Sequence, residues 1–356
     1  MDYLDGVELL PRRPHKGVWD VPLDDFASDP AGFQAALAEQ DPDFIRVADA
    51  AITGSGGPIG VGRSDARLHA LHKLLAGKGY FIWEGGDGVA KYIARGRIRS
   101  FWQPITSGEI SMTKDGVLYQ MILPEGGNAL RRLVVVFSAI HSNYNEASLW
   151  RYFPHHYQHL RGLTPGDTAI LRIGDLGGVV GSFYGDTLDA PGNATAVSSL
   201  IARVIRSLEI PPAQVCLLGS SKGATGAVRH GVALGLPFVA ADPVLGDEYY
   251  ERSRDDAHFT GPEVFTSTKD AVFAELLASE RPTGARGVFL TSPQSPQHDM
   301  VVEYAERLKR PTLLFDSSDY RIADHPWVPG VVLGPTFMAV NALILGWSLP
   351  EGTIEL

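Results

Sequence analysis

The chain has 356 residues, a formal net charge of −10, one cysteine, 39 glycines and 24 prolines. The lone cysteine, Cys216, excludes a disulfide framework and any multi-cysteine zinc or iron–sulfur site. The acidic balance argues against a face built to neutralise nucleic-acid phosphates. Hydrophobic residues at 44% and charged residues at 20% fit a packed globule, not a disordered chain, of one large domain or a large and a small one.

Residues 1 to about 65 have weak periodicity, and Gly54-Ser55-Gly56-Gly57-Pro58 reads as a loop. It lacks the Gly-Lys-Ser/Thr ending of a phosphate loop. The start, Met1-Asp2-Tyr3-Leu4-Asp5, has no basic and apolar leader, which sets the expectation of a cytoplasmic protein. Leu68, Leu71, Leu74 and Leu75 form one stripe of a helix over 66–76. Tyr80–Trp83 reads as a strand, and Glu109–Leu123 as a hairpin turning at Asp115-Gly116. The expected first unit is a small α+β region over 1–125.

From about residue 130 the pattern changes, and 126–356 reads as a second domain. Leu133–Phe137 is apolar without alternation, as in a strand covered on both faces. A helix over 146–160, a strand over 168–173 and a helix over 194–208 should follow. Next come a strand over 215–218, a helix over 222–234, and strands over 238–240 and 287–290. A helix over 301–308, a strand over 312–315, a strand over 331–333 and a helix over 336–345 complete the series. This alternation predicts an α/β fold: a mostly parallel sheet with helices on both faces. The stretch Trp327–Pro350 has no charge and is long enough to span a bilayer, but its glycines and prolines favour a buried strand, turn and helix.

Gly219-Ser220-Ser221-Lys222-Gly223 matches G-x-S-x-G between a strand and a helix rich in small residues. That context holds a serine Oγ on a sharp turn at the sheet tip, beside a helix N-terminus. Ser221 is therefore the candidate nucleophile, and the Lys222 amide one half of an oxyanion hole. The second donor should come from 138–143, with the backbone near Ile140 or His141 as the natural choice. The His141 and Asn143 side chains either add donors or cap the next helix.

The base should follow Ser221 in the chain, after the acid. His325, in a late loop, is the first choice, ahead of His298 and His258; His230 lies on the helix leaving the turn. Asp299, after the strand 287–290, is the first choice of acid; Asp242, Asp316, Asp319 and Asp324 are alternatives. His155 and His159 have metal-ligand spacing without the glutamate of H-E-x-x-H, so no metal is expected. Arg172-Ile173-Gly174-Asp175-Leu176-Gly177-Gly178 is not a dinucleotide fingerprint and reads as a loop lining the site's mouth. No cofactor is expected.

The turn and the strand–helix order resemble the α/β-hydrolase superfamily. Within it, Arg172–Asp175, Gly181-Ser182-Phe183-Tyr184 and Gly219–Ala227 resemble XcbB/CpsF-type capsular polysaccharide biosynthesis proteins and accessory Sec system glycan O-acetyltransferases. Gly223-Ala224 stands where that group often has Gly-Gly. The resemblance implies a Ser–His–acid acyl-transfer site, here Ser221 and His325, acting on a glycan or hydroxylated metabolite with an acyl donor or water. It leaves hydrolysis against transfer open. A non-catalytic binding protein and a cyclase or isomerase using the same pocket are the rival expectations.

Overall fold

The computed structural model describes residues 15–53, 56–124 and 129–356. Two sheets organise the chain. The first contains β1 (Val18–Pro22), β2 (Phe44–Ala48), β3 (Tyr80–Gly86) and β4 (Val89–Ala94), in the order β1-β2-β4-β3. The helix Ala66–Gly77 packs its leucine stripe, Leu68, Leu71 and Leu75, into the core of this unit, and Asp65 caps its first turn. The loop expected at 54–58 lies partly outside the described residues. Its second half instead opens a short helix, Gly57–Gly62, with Pro58 in the first turn.

The second sheet has nine strands. They are β5 (Ser111–Met112), β6 (Leu118–Ile122), β7 (Arg132–Phe137), β8 (Thr168–Ile173), β9 (Val215–Ser220), β10 (Phe238–Ala241), β11 (Gly287–Thr291), β12 (Thr312–Asp316) and β13 (Gly352–Glu355). Their order is β13-β12-β11-β10-β9-β7-β8-β6-β5. From β13 to β8 every pairing is parallel, while β6 and β5 add an antiparallel edge. The 109–123 hairpin is present, but its strands belong to this large sheet and not to the N-terminal one. Gly116 turns it with φ +87°, a conformation open to glycine.

The unalternating strands are covered on both faces. Leu133, Val135, Leu217 and Phe289 point to helices 193–207, 222–234, 269–279 and 298–307. Val134, Val136, Cys216 and Leu218 point to the C-terminal helix Leu333–Leu345. Cys216 is thus strand filling.

Two expected elements differ. The segment 146–160 is not one helix: a 3₁₀ turn, Leu149–Tyr152, ends before Pro154, and a short helix begins at Leu160. Proline has no N–H to continue a helix and restricts the residue before it. The strand expected over 331–333 is helical, as Val328–Val331 leads into Leu333–Leu345 through a 60° bend. Ala339, Val340, Leu343 and Ile344 of this uncharged segment are buried against the sheet. Among the described residues no single helix is long and apolar enough to cross a membrane.

Arg151 joins the two units. Its buried guanidinium donates to the carbonyls of Val179 (2.8 Å), Ser148 (2.8 Å) and Ile82, and to Tyr152 Oη (2.7 Å). A buried charge is tolerable only when its donors are used in this way.

Candidate active site

The site grows from the C-terminal ends of three adjacent strands. At the end of β9 the chain reverses at Ser221, whose φ of +50° and ψ of −122° are strained for a non-glycine residue. Its amide is anchored to the Ala241 carbonyl at 2.9 Å. The helix Lys222–Leu234 starts at the next residue. The flanking glycines are required by space. A Cβ on Gly219 would lie 2.1 Å from the Gly223 backbone, and one on Gly223 would lie 2.3 Å from the Phe137 carbonyl oxygen.

The turn presents Ser221 Oγ to His325 Nε2 at 2.8 Å. His325 Nδ1 lies 2.7 Å from Asp242 Oδ2. The Asp242 side chain is fully buried and its backbone has φ +50°. The three groups therefore stand in a line of two hydrogen bonds. Such a line can draw a proton from the hydroxyl and stabilise the imidazolium that results.

The carboxylate on His325 is Asp242, and Asp299 is not near this contact. Asp299 sits in the first turn of the helix His298–Arg307 with its side chain fully solvent-exposed, and it meets His298 Nδ1 at 2.9 Å. An acidic residue there suits the positive end of the helix dipole. Asp316 holds the other His298 nitrogen at 3.1 Å, Asp319 pairs with Arg321, and Asp324 caps the turn carrying His325. His298 is thus spent on Asp299 and Asp316. His258 is buried, stacked on Tyr250 with ring centroids 3.6 Å apart, and burial holds its pKa well below the usual value. His230 binds Ser198 Oγ at 2.8 Å, away from Ser221.

Two residues around Asp242 were not singled out from the sequence. Thr291 Oγ1 donates to Asp242 Oδ1 at 2.7 Å, and Ser295 Oγ donates to Oδ2 at 2.6 Å. The register explains the first. Ala241 of β10 pairs with Leu290 of β11, so the next residues, Asp242 and Thr291, lie side by side. Only the strand pairing, invisible in one sequence, could have indicated it.

Lys222, Gly223 and Ala224 open a helix, so their amides have no intrahelical acceptor. The loop after β7 lies alongside, with Ser138 Oγ donating to the Pro154 carbonyl at 3.1 Å and Ile140 packed near Phe183, Val244 and Tyr250. The His141 and Asn143 side chains are used within the loop. His141 Nδ1 accepts from the Asn143 amide at 3.0 Å, and Asn143 Oδ1 accepts from the Asn145 amide at 3.2 Å. The segment expected to line the mouth, 172–178, is instead buried throughout.

No protein-family model matches the chain, and no curated protein matches it. Solved structures do. A glycosylation-associated protein (Gap123) complex from Streptococcus agalactiae is 14% identical over 71% of this chain and 50% of that one, with a TM-score of 0.47. The chain thus spans about half the length of that structure. A capsule O-acetyltransferase of Neisseria meningitidis serogroup A is 13% identical over 65% of this chain and 93% of that one, with a TM-score of 0.47. An S-formylglutathione hydrolase from Agrobacterium tumefaciens is 11% identical over 66% and 94%, with a TM-score of 0.46. The chain's own architecture is a mostly parallel α/β sheet covered by helices on both faces.

Ser295, which donates to the buried Asp242 carboxylate, is a sharp point to probe. Removing a hydrogen bond to a charged group costs about 1.5 kcal/mol or more, so Ser295→Ala should lower kcat/KM for an activated ester by about tenfold. Steady-state hydrolysis of p-nitrophenyl acetate measures it, and an unchanged rate would show that Asp242 does not depend on this donor.

Proposed function

We propose that the chain is a serine-dependent acyl-transfer enzyme, an esterase or O-acyltransferase working through Ser221, His325 and Asp242. The observation that carries this reading is the continuous contact Ser221–His325–Asp242, at 2.8 and 2.7 Å, on a strained strand-to-helix turn. Ser221 Oγ attacks the carbonyl carbon of an ester or thioester while His325 Nε2 takes its proton. The new oxyanion is held by the Lys222 amide and a donor from the 138–143 loop. Collapse of the tetrahedral intermediate breaks the bond to the leaving group, which receives the proton from His325. Water, or an acceptor hydroxyl, then gives its proton to His325 and attacks the acyl-serine; collapse of this second intermediate breaks the acyl–Oγ bond, and His325 returns the proton to Ser221 Oγ.

A hydroxylated acceptor such as a glycan is the substrate class we infer. It is supported by the resemblance of the Arg172–Asp175, Gly181–Tyr184 and Gly219–Ala227 motifs to glycan-modifying proteins. Tyr250 stands 6.4 Å edge-on from His325 and packs against Tyr249. A His325 distant from Ser221 would have favoured the non-catalytic reading, and their contact gives it no such support. The test is intact-mass analysis after brief exposure to p-nitrophenyl acetate. One acetyl group should appear on the peptide carrying Ser221 and be absent from Ser221→Ala. Acetylation of another residue only, with ester turnover intact, would overturn the assignment.

A further inference from the structure

A positive charge inside a protein is tolerated where its donors are taken up by partners. Lys222 Nζ meets Asp175 Oδ2 at 3.1 Å and the Val180 carbonyl at 3.2 Å. Arg310 donates to Glu280 at 2.6 Å, and Lys269 is paired with Asp247. Arg229, on the helix Lys222–Leu234, departs from this pattern. Its side chain is part-buried, and it has no hydrogen-bond or ion-pair partner among the described residues. Burial pushes its pKa below the usual value.

Arg229 lines a cavity of about 280 Å³ between its own helix, the helix Lys269–Ser279 and the segments 182–186 and 265–267. Neither Ser221 nor His325 lines this cavity. Gly185 leaves the guanidinium its place, since a Cβ there would lie 2.9 Å from Arg229 Nη1. Lys269 also lines the cavity, but its charge is met by Asp247. Two carboxylates share the space, Asp186 and Glu275, and both act on Arg229 from beyond contact, opposing the effect of burial. Asp186 is committed elsewhere, as its Oδ1 accepts from the Ala194 amide at 2.8 Å in the first turn of the helix Asn193–Ser207. Glu275 is exposed, and its carboxylate has no partner among the described residues. One cation and one carboxylate thus line the same space and are held apart. Phe265, Val272, Phe273 and Leu276 add apolar wall.

A simple anion would satisfy the guanidinium and be repelled by Glu275, and a simple cation would do the reverse. A zwitterion meets both, and its carboxylate matches the fork of the guanidinium. At ~30 Å³ for each small group, the volume suits a molecule of about nine non-hydrogen atoms, the size of leucine. We propose that this cavity is a binding site for an α-amino acid with an apolar side chain, its carboxylate on Arg229, its ammonium on Glu275 and its side chain against Phe265, Val272 and Phe273. The site stands apart from the acyl-transfer reading and does not rest on it.

Isothermal titration calorimetry of the full chain with L-leucine tests this, beside isocaproate, which lacks the ammonium, and isoamylamine, which lacks the carboxylate. L-Leucine should bind with a Kd of about 1 mM or below. Each analogue should bind about tenfold more weakly, the loss expected for a hydrogen bond between charged groups. Arg229→Met should weaken leucine by a similar factor. Glu275→Gln should bring leucine down to the level of isocaproate and leave isocaproate itself unchanged. Ser221→Ala should bind leucine as the wild type does. Thermal unfolding midpoints show that each variant is folded, and if Arg229→Met unfolds, the exposed Glu275→Gln change carries the test. No saturable binding of leucine to the wild type up to about 10 mM, or isocaproate binding as tightly as leucine, would overturn the proposal. So would wild-type leucine binding in a folded Arg229→Met or in Glu275→Gln. Loss of binding in Ser221→Ala would also overturn it, since the amino acid would then sit at the catalytic serine.

Discussion

Ser221→Ala should lower kcat for an activated ester by about 10⁶-fold, and His325→Ala by a similar factor, with the double variant no worse than either. The serine has no substitute, because Ser220 is the last residue of β9 and is buried, and Thr225 Oγ1 is committed to the Val244 carbonyl at 2.8 Å. Among the described residues, His325 is the histidine bonded to Ser221 Oγ. His258 is buried against Tyr250, and His298 is held between Asp299 and Asp316. Non-additivity follows because the two groups act in one proton transfer. A residual acceleration over water should survive in all three variants from the Lys222 amide and the 138–143 loop. Steady-state rates on p-nitrophenyl acetate, with circular dichroism to show that each variant is folded, provide the check. Strictly additive losses would contradict the shared step.

Asp242→Asn should cost about 10⁴-fold in kcat, whereas Asp299→Asn should stay within about twofold of wild type. The difference is physical. Asp242 is buried, accepts from Thr291, Ser295 and His325, and fixes which imidazole nitrogen faces Ser221. An asparagine in its place turns an NH₂ toward one of those donors, or makes His325 present its proton to Ser221 in the wrong tautomer. Asp299 is wholly exposed, and its loss removes one neighbour of His298. Near-equal effects of the two substitutions would contradict the assignment of the acid.

These residues mark how far the sequence alone could be read. The parallel sheet was legible because strands such as Leu133–Phe137 carry no polar alternation, and G-x-S-x-G was legible because its glycines answer to backbone collisions at 2.1 and 2.3 Å. His325 was legible through chain order. The acid was not, since Asp242 and Asp299 both follow a strand of the same sheet. The choice depends on which strand neighbours β9, and on the +50° φ that turns Asp242 inward. The edge strand β13 was missed for a related reason: Gly352–Glu355 is short, exposed and polar, and becomes a strand only by pairing with β12. The C-terminal segment 331–333 has the β-branched residues of a strand but is helical, because its partner is the apolar underside of the sheet.

The most direct measurement of the central claim is stoichiometric labelling of the native chain with a fluorophosphonate probe, followed by mapping of the modified residue. The account predicts one label per chain on Ser221, lost in Ser221→Ala and strongly slowed in His325→Ala. A folded wild-type chain that takes no label, or that is labelled equally well after Ser221→Ala, would contradict it.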